Sequence, residues 1–250
     1  SRFELDITKL DWHIYLSNFT YGLQKFILKE KVQPPSDADS VDLNWEYKTR
    51  KYFSDIMWAY SSGEQQKVRG RRETRSLVLN APKVQNMMKK VIEEELTKGK
   101  SQAQAAKDVQ YRANFIIIRM SCDLRMPMVR FFGWSLRKIW RMIYEKIVVD
   151  QNALNRLKKY MSKNQGPVVI MPTHRSYIDF LIVSYVFFSF KIKLPYIAAG
   201  EDFLNIALIN HLLRMTGAFF IKRKMADDKL YMAILTEYIQ QLLKDQEMVE

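Results

Sequence analysis

His174 and Asp179, in the run Thr173-His174-Arg175-Ser176-Tyr177-Ile178-Asp179, are the residues whose types best suit the movement of a proton. An imidazole with an ordinary pKa of about 6.5 is largely neutral, and so able to accept a proton, near neutral pH. A carboxylate on one ring N–H holds the ring, leaving the other nitrogen to take a proton from a hydroxyl. Five residues turn about 500° on a continuous helix, so the two would not face each other there. They can meet if His174 lies in a loop and Asp179 in the first helical turn. A second reading needs no chemistry. Ser176-Tyr177-Ile178-Asp179 also matches a capping box, in which Asp179 satisfies backbone donors and His174 is a surface residue. Spacing leaves both open, and the roles are compatible, because a capping carboxylate keeps further lone pairs.

A second run, Gly217-Ala218-Phe219-Phe220-Ile221-Lys222-Arg223, is a glycine, an apolar strand and two cations. In a parallel sheet the ends of successive strands share one edge, which brings Lys222 and Arg223 near His174. The guanidinium fork of Arg223 fits phosphate. The bland alternative is a solvated basic strand end, continued by Lys224. Cys122 is the one cysteine. It reads as a buried small residue rather than a nucleophile, and alone it excludes an internal disulfide or a cysteine-based zinc cluster.

These residues need elements to position them. The β-branched run Val168–Met171, bounded by Pro167 and Pro172, predicts a buried parallel strand. That helix is predicted from Ser176 to about Phe190. A strand over Tyr196–Ala199 follows, broken at Gly200, then a helix over Phe203–Met215. A strand over Ala218–Lys222 and a helix over Asp228–Lys244 complete an α/β half that starts at about residue 167. The region before it is expected to be helical: a helix over 3–30 capped by Asp11, a loop over 33–42, a helix over 43–60 and helices throughout 80–160. The division this suggests is a helical segment at 1–60, a basic linker at 61–75, a helical region at 76–165 and the first half of an α/β domain at 166–250; the alternative for the linker's Lys67, Arg69, Arg71, Arg72 and Arg75 is a lipid- or phosphate-binding patch. Within 115–147, Phe132, Leu136, Ile139, Ile143 and Ile147 form one stripe, and Arg130, Trp134, Arg137 and Arg141 another. A basic face with a Trp beside an apolar face suits a helix lying on an anionic membrane. An ordinary amphipathic helix with solvated arginines explains the pattern equally well.

The formal charge of +13 calls for a negatively charged partner: nucleic acid, anionic lipid or a phosphorylated substrate. The chain shows no zinc pattern, recognition-helix motif or aromatic sheet signature, so nucleic acid is not the expected partner. No apolar run reaches the roughly 18 residues of a spanning helix. The first residues lack the order of a signal peptide. The termini read as cuts through a longer protein.

Thr173–Asp179 resembles the His-x4-Asp motif of the glycerol-phosphate acyltransferase superfamily, and Gly217–Arg223 its second motif. Ile197-Ala-Ala-Gly-Glu-Asp-Phe-Leu204 and Leu212-Leu-Arg-Met-Thr-Gly-Ala-Phe-Phe220 are most similar to the dihydroxyacetone-phosphate acyltransferases, with the mitochondrial-type glycerol-3-phosphate acyltransferases close behind. The resemblance covers about 75–250. It implies that His174 is the general base on the acceptor hydroxyl and that Asp179 orients it. It implies direct attack on an acyl-CoA thioester, with no cofactor and no metal. Arg223, supported by Lys222 and Arg175, would bind the acceptor phosphate, while Gly217 and Phe219 would shape the pocket. Thr173 stands where many relatives have Asn. The family's later motifs would fall after Glu250, so the chain by itself is expected to be inactive. A membrane-associated enzyme is implied, peroxisomal first, with the mitochondrial outer membrane or endoplasmic reticulum as alternatives.

Residues 3–30, with Phe3-Glu-Leu-Asp-Ile-Thr-Lys-Leu-Asp-Trp12, Tyr15, Gly22 and Lys25-Phe-Ile-Leu-Lys-Glu30, resemble the carboxy-terminal domain of fatty acyl-CoA reductases. This match is short and carries no chemical motif. It implies a reductase–acyltransferase fusion.

Overall fold

The computed structural model describes residues 40–43, 52–63, 69–163, 166–172, 179–201, 207–225, 227–245 and 247–249. The helix expected over 3–30 lies outside them. In chain order the elements are β1 (Ser40–Asp42), α1 (Tyr52–Ser61), α2 (Arg71–Asn80), α3 (Pro82–Thr97), α4 (Gln102–Met120) and α5 (Met126–Ile143). β2 (Val148–Asp150), α6 (Gln151–Ser162), α7 (Asp179–Ser189), β3 (Ile197–Gly200), α8 (Ala207–Met215), β4 (Ala218–Ile221) and α9 (Lys229–Lys244) follow. The chain is thus α/β, with a largely helical region leading into the part that carries β3 and β4.

Several helix starts follow from single residues. The side chains of Ser101, Asp150 and Asp228 accept hydrogen bonds from Gln104, Ala153 and Tyr231 N–H at 3.4, 2.9 and 2.9 Å. Each satisfies a first-turn donor that has no partner within the helix. Pro82 opens α3, where its missing N–H costs nothing.

β3 and β4 pair in parallel, Ile197 opposite Ala218 and Gly200 opposite Ile221. Val249 bridges in parallel to both Tyr196 and Val169. The sheet order is therefore 168–170, 248–249, β3, β4. Phe219, Tyr196 and Val249 pack with α9 and the α2–α4 helices, through Leu230, Ile234 and Tyr238. Ala218 and Phe220 point the other way, to Leu213 of α8 and Phe180 of α7. The alternation is the period of two that a strand imposes. It gives three layers with the sheet in the middle.

Several expectations need correction. Val168–Met171 is not a buried strand but one parallel bridge at the edge of this order, with Val169 46% and Met171 77% exposed. Met248-Val249, not anticipated as strand, fills the place beside it. The end of the loop predicted at 33–42 is β1, which pairs antiparallel with β2. β2 in turn interrupts the helical run expected over 80–160. In the stretch read as helix over 43–60, Leu43 is a turn, and the described helix is Tyr52–Ser61. The run read as linker over 61–75 is helical from Arg71 onward, with Thr74 buried.

The stripes of α5 also fall differently from both sequence readings. Arg137 is fully buried, its guanidinium 3.9 Å over the Trp58 ring and its Nε 3.3 Å from Asp55 Oδ1. Arg141 grips the same carboxylate with two bonds of 2.9 Å, and the Lys138 ammonium joins it. Arg130 lies 4.8 Å over the Tyr60 ring. The basic stripe thus faces α1, not solvent or lipid. Phe131, Ile139, Met142 and Ile143 are exposed instead.

Candidate active site

The parallel pairing sets which ends of the strands lie together. Chain direction runs the same way through 168–170, β3 and β4. Pro172, Gly200–Glu201 and Lys222–Arg223 therefore leave the sheet at one carboxyl edge, where sites of α/β domains gather. α7 starts at that edge. Phe180, in its first turn, packs with Ala199 and Phe220, in the later halves of β3 and β4. From there α7 runs back toward the start of β3. Asp179, its first residue, is half-buried beside the edge. His174 and Arg175 lie outside the described residues.

The two cations differ. The Lys222 N–H donates to the Tyr231 hydroxyl at 2.9 Å, and its ammonium lies 5.0 Å over that ring and 3.9 Å from Asp228. Lys222 is tied to the start of α9. Arg223 is exposed at the edge. Burial first, then the charges of Glu201 and Asp228, raise the Tyr231 phenol above its ordinary pKa, which keeps it a neutral donor and acceptor.

Gly217 and Phe219 do not sit at this edge. The Gly217 carbonyl accepts from Ile197 N–H at 3.1 Å, at the amino end of β4. Four strand residues, about 13 Å, separate it from the carboxyl edge. Its φ of 113° and the 3.1 Å that a Cβ would leave to the Pro195 carbonyl explain the glycine. Phe219 is fully buried against Tyr238, ring centroids 5.5 Å apart, on the face turned away from α7. Both residues support the sheet and shape no pocket beside Asp179.

An apolar cleft of about 30 Å³ does begin there, lined by Phe180, Leu181, Ser184, Phe132, Leu136 and Leu213 among others. It runs between α5 and α7. Sequence reading missed it because its walls come from segments about fifty residues apart in the chain, so no local pattern marks it. Cys122 is buried, and that burial pushes its thiol up to about 11, despite a hydrogen bond with Tyr238. It is therefore a protonated thiol at neutral pH and no nucleophile.

A parallel α/β layer with a carboxylate and a guanidinium at its carboxyl edge defines the class as an α/β domain. Residues 147–250 match the Acyltransferase family. Dihydroxyacetone phosphate acyltransferase of Mus musculus is 36% identical over 172 residues, covering 69% of this chain and 24% of the relative. The Homo sapiens protein of that name is 34% identical over 168 residues, with 67% and 23% covered. Glycerol-3-phosphate acyltransferase 1, mitochondrial, of Sus scrofa is 33% identical over 181 residues, with 69% and 22% covered. The chain spans about a quarter of the length of these relatives.

Proposed function

We propose that the protein to which this chain belongs transfers a fatty acyl group from acyl-CoA to the hydroxyl of dihydroxyacetone phosphate. The observation that carries this is the carboxyl edge of the parallel sheet, where Asp179 opens α7 and Arg223 follows β4. His174 takes the hydroxyl proton while the oxygen attacks the thioester carbonyl. The carbon–sulfur bond breaks, and the departing thiolate recovers the proton from the imidazolium. Asp179 holds the imidazole, and Arg223, supported by Lys222 and Arg175, takes the acceptor phosphate. No cofactor enters these steps.

The mitochondrial glycerol-3-phosphate acyltransferase relatives favour a second reading, with glycerol 3-phosphate as acceptor. Turnover of the intact protein with acyl-CoA and each acceptor separates the two. Faster transfer to dihydroxyacetone phosphate is expected; transfer to neither would refute both.

The exposed apolar residues Ile139, Met142 and Ile143 of α5, with Ile56, Met57 and Tyr60 of α1, support docking on a membrane. The net charge of +13 selects an anionic bilayer. No described helix is long and apolar enough to cross a membrane. A peroxisomal membrane is the first compartment to examine by imaging the tagged intact protein. A reductase segment at 3–30 predicts a nucleotide-binding domain upstream, which sequencing the full message tests.

A further inference from the structure

At the amino edge of the sheet, about 13 Å from the site above, lies a polar cavity of about 110 Å³. Arg69, Arg71 and Thr74 line it from the start of α2, Ser121 and Asp123 from the segment after α4, and Tyr196 from the start of β3. Three arginines converge on Ser121 of its wall. Arg71 donates to Ile118 O at 3.1 Å and to Ser121 Oγ at 3.4 Å. Arg75 donates through Nε to the same hydroxyl at 3.0 Å. Arg214, 8% exposed, donates to Ser121 O at 2.5 Å and Arg119 O at 2.9 Å. These bonds cap the carboxyl end of α4, whose last carbonyls have no partner within the helix.

Capping does not use up the cations. Among the described residues, Nη2 of Arg75 and Nη1 of Arg69 are buried with no hydrogen-bond partner. Burial first, then the charge of Arg71, lowers the pKa of both Arg75 and Arg214. Carboxylates are present as well. Arg69 bonds Asp245 at 2.7 Å and meets Glu73 at 3.5 Å, and the charges of Asp245 and Glu247 act on the buried Tyr196. Asp123, which offsets Arg75, is itself held by Arg125 at 2.8 Å. Positive charge therefore gathers on the α2 side. Gly70, the N-cap of α2, supplies no side-chain cap, so first-turn N–H donors of that helix are left beside the cavity.

We propose that this cavity is a second anion site, which binds a phosphate monoester or inorganic phosphate between Arg69, Arg71 and the first turn of α2. The guanidinium forks match phosphate geometry, and the occupant would tie α2 to the end of α4. A soluble phosphate and a lipid phosphate headgroup share this chemistry.

Equilibrium dialysis of labelled inorganic phosphate on the intact protein tests it, with melting curves run in parallel. Arg223→Ala, which removes the guanidinium at the carboxyl edge, should keep saturable binding. Arg69→Gln in that background should weaken it by about tenfold or more, as loss of a charged hydrogen bond does. Arg69→Lys, which keeps the charge without the fork, should fall between them, and it is the variant to read if Arg69→Gln does not fold. Competition by vesicles carrying phosphatidic acid would name a lipid headgroup as the source. Competition by glycerol phosphate but not by vesicles would name a soluble one. Absence of saturable binding in Arg223→Ala, or equal binding with and without Arg69, would overturn the proposal.

Discussion

A general base must be neutral before it can accept a proton, and an imidazole of ordinary pKa offers that state near neutral pH. In the proposed reaction Asp179 acts through orientation, from the first turn of α7. Asp179→Asn should lower kcat of the intact protein by roughly ten- to hundredfold, with KM for acyl-CoA little changed; unchanged kcat would remove its role. Asp55 does different work. Burial pushes its carboxyl up, but hydrogen bonds from Arg141 and Lys138 and the charges of Arg141 and Arg137 outweigh that and hold it below the usual range. A depressed carboxyl stabilises the fold above its unfolded pKa of about 3.9, and that share is lost as pH falls through the folded value. Asp55→Asn should therefore cost about 3–5 kcal/mol at neutral pH, with the gap to wild type narrowing below about pH 4 in urea melts. An equal gap at all pH values would contradict the ion-pair account. Gly217→Ala should cost about 1–2 kcal/mol by the same melts, since φ of 113° disfavours any Cβ. The places of Asp179 in a first helical turn and of Arg223 at a strand's carboxyl end were legible from residue types and order. The true places of Gly217 and Phe219 were not, because a motif names residues without saying which end or face of a strand they occupy.

α5 shows what periodicity leaves open at the scale of an element. Helical spacing marked the basic stripe, but could not say which residues had a partner: of the apolar stripe Leu136 is buried, Ile139 and Ile143 are exposed, and Ile147 lies beyond the helix. Asp55, whose carboxylate turns the basic stripe inward, lies more than eighty residues earlier in the chain. The same helix consequently carries its exposed apolar residues outward. Ile139→Glu with Met142→Glu should reduce flotation of the intact protein with anionic vesicles severalfold, since charged side chains on that face oppose burial in lipid. Flotation at wild-type level would place the membrane contact elsewhere. β1 and β2 escaped the sequence reading because three residues carry too little alternation to register.

Across the molecule, the order 168–170, 248–249, β3, β4 is what gives the carboxyl edge its three chain exits. The helix–strand alternation after 167 was readable from Pro, Gly and β-branched runs. The insertion of Met248-Val249 between neighbours was not, since strand order depends on long-range pairing. The sheet keeps two groups of cations apart, with Arg223 at one edge and Arg69 and Arg71 at the other. The measurement that bears most directly on the proposed reaction is kcat of the intact protein with acyl-CoA and dihydroxyacetone phosphate, wild type against His174→Ala, both checked for an unchanged melting curve. Removing the base should lower kcat by about hundredfold or more. A His174→Ala protein within about twofold of wild type would contradict the assignment of His174 as the base.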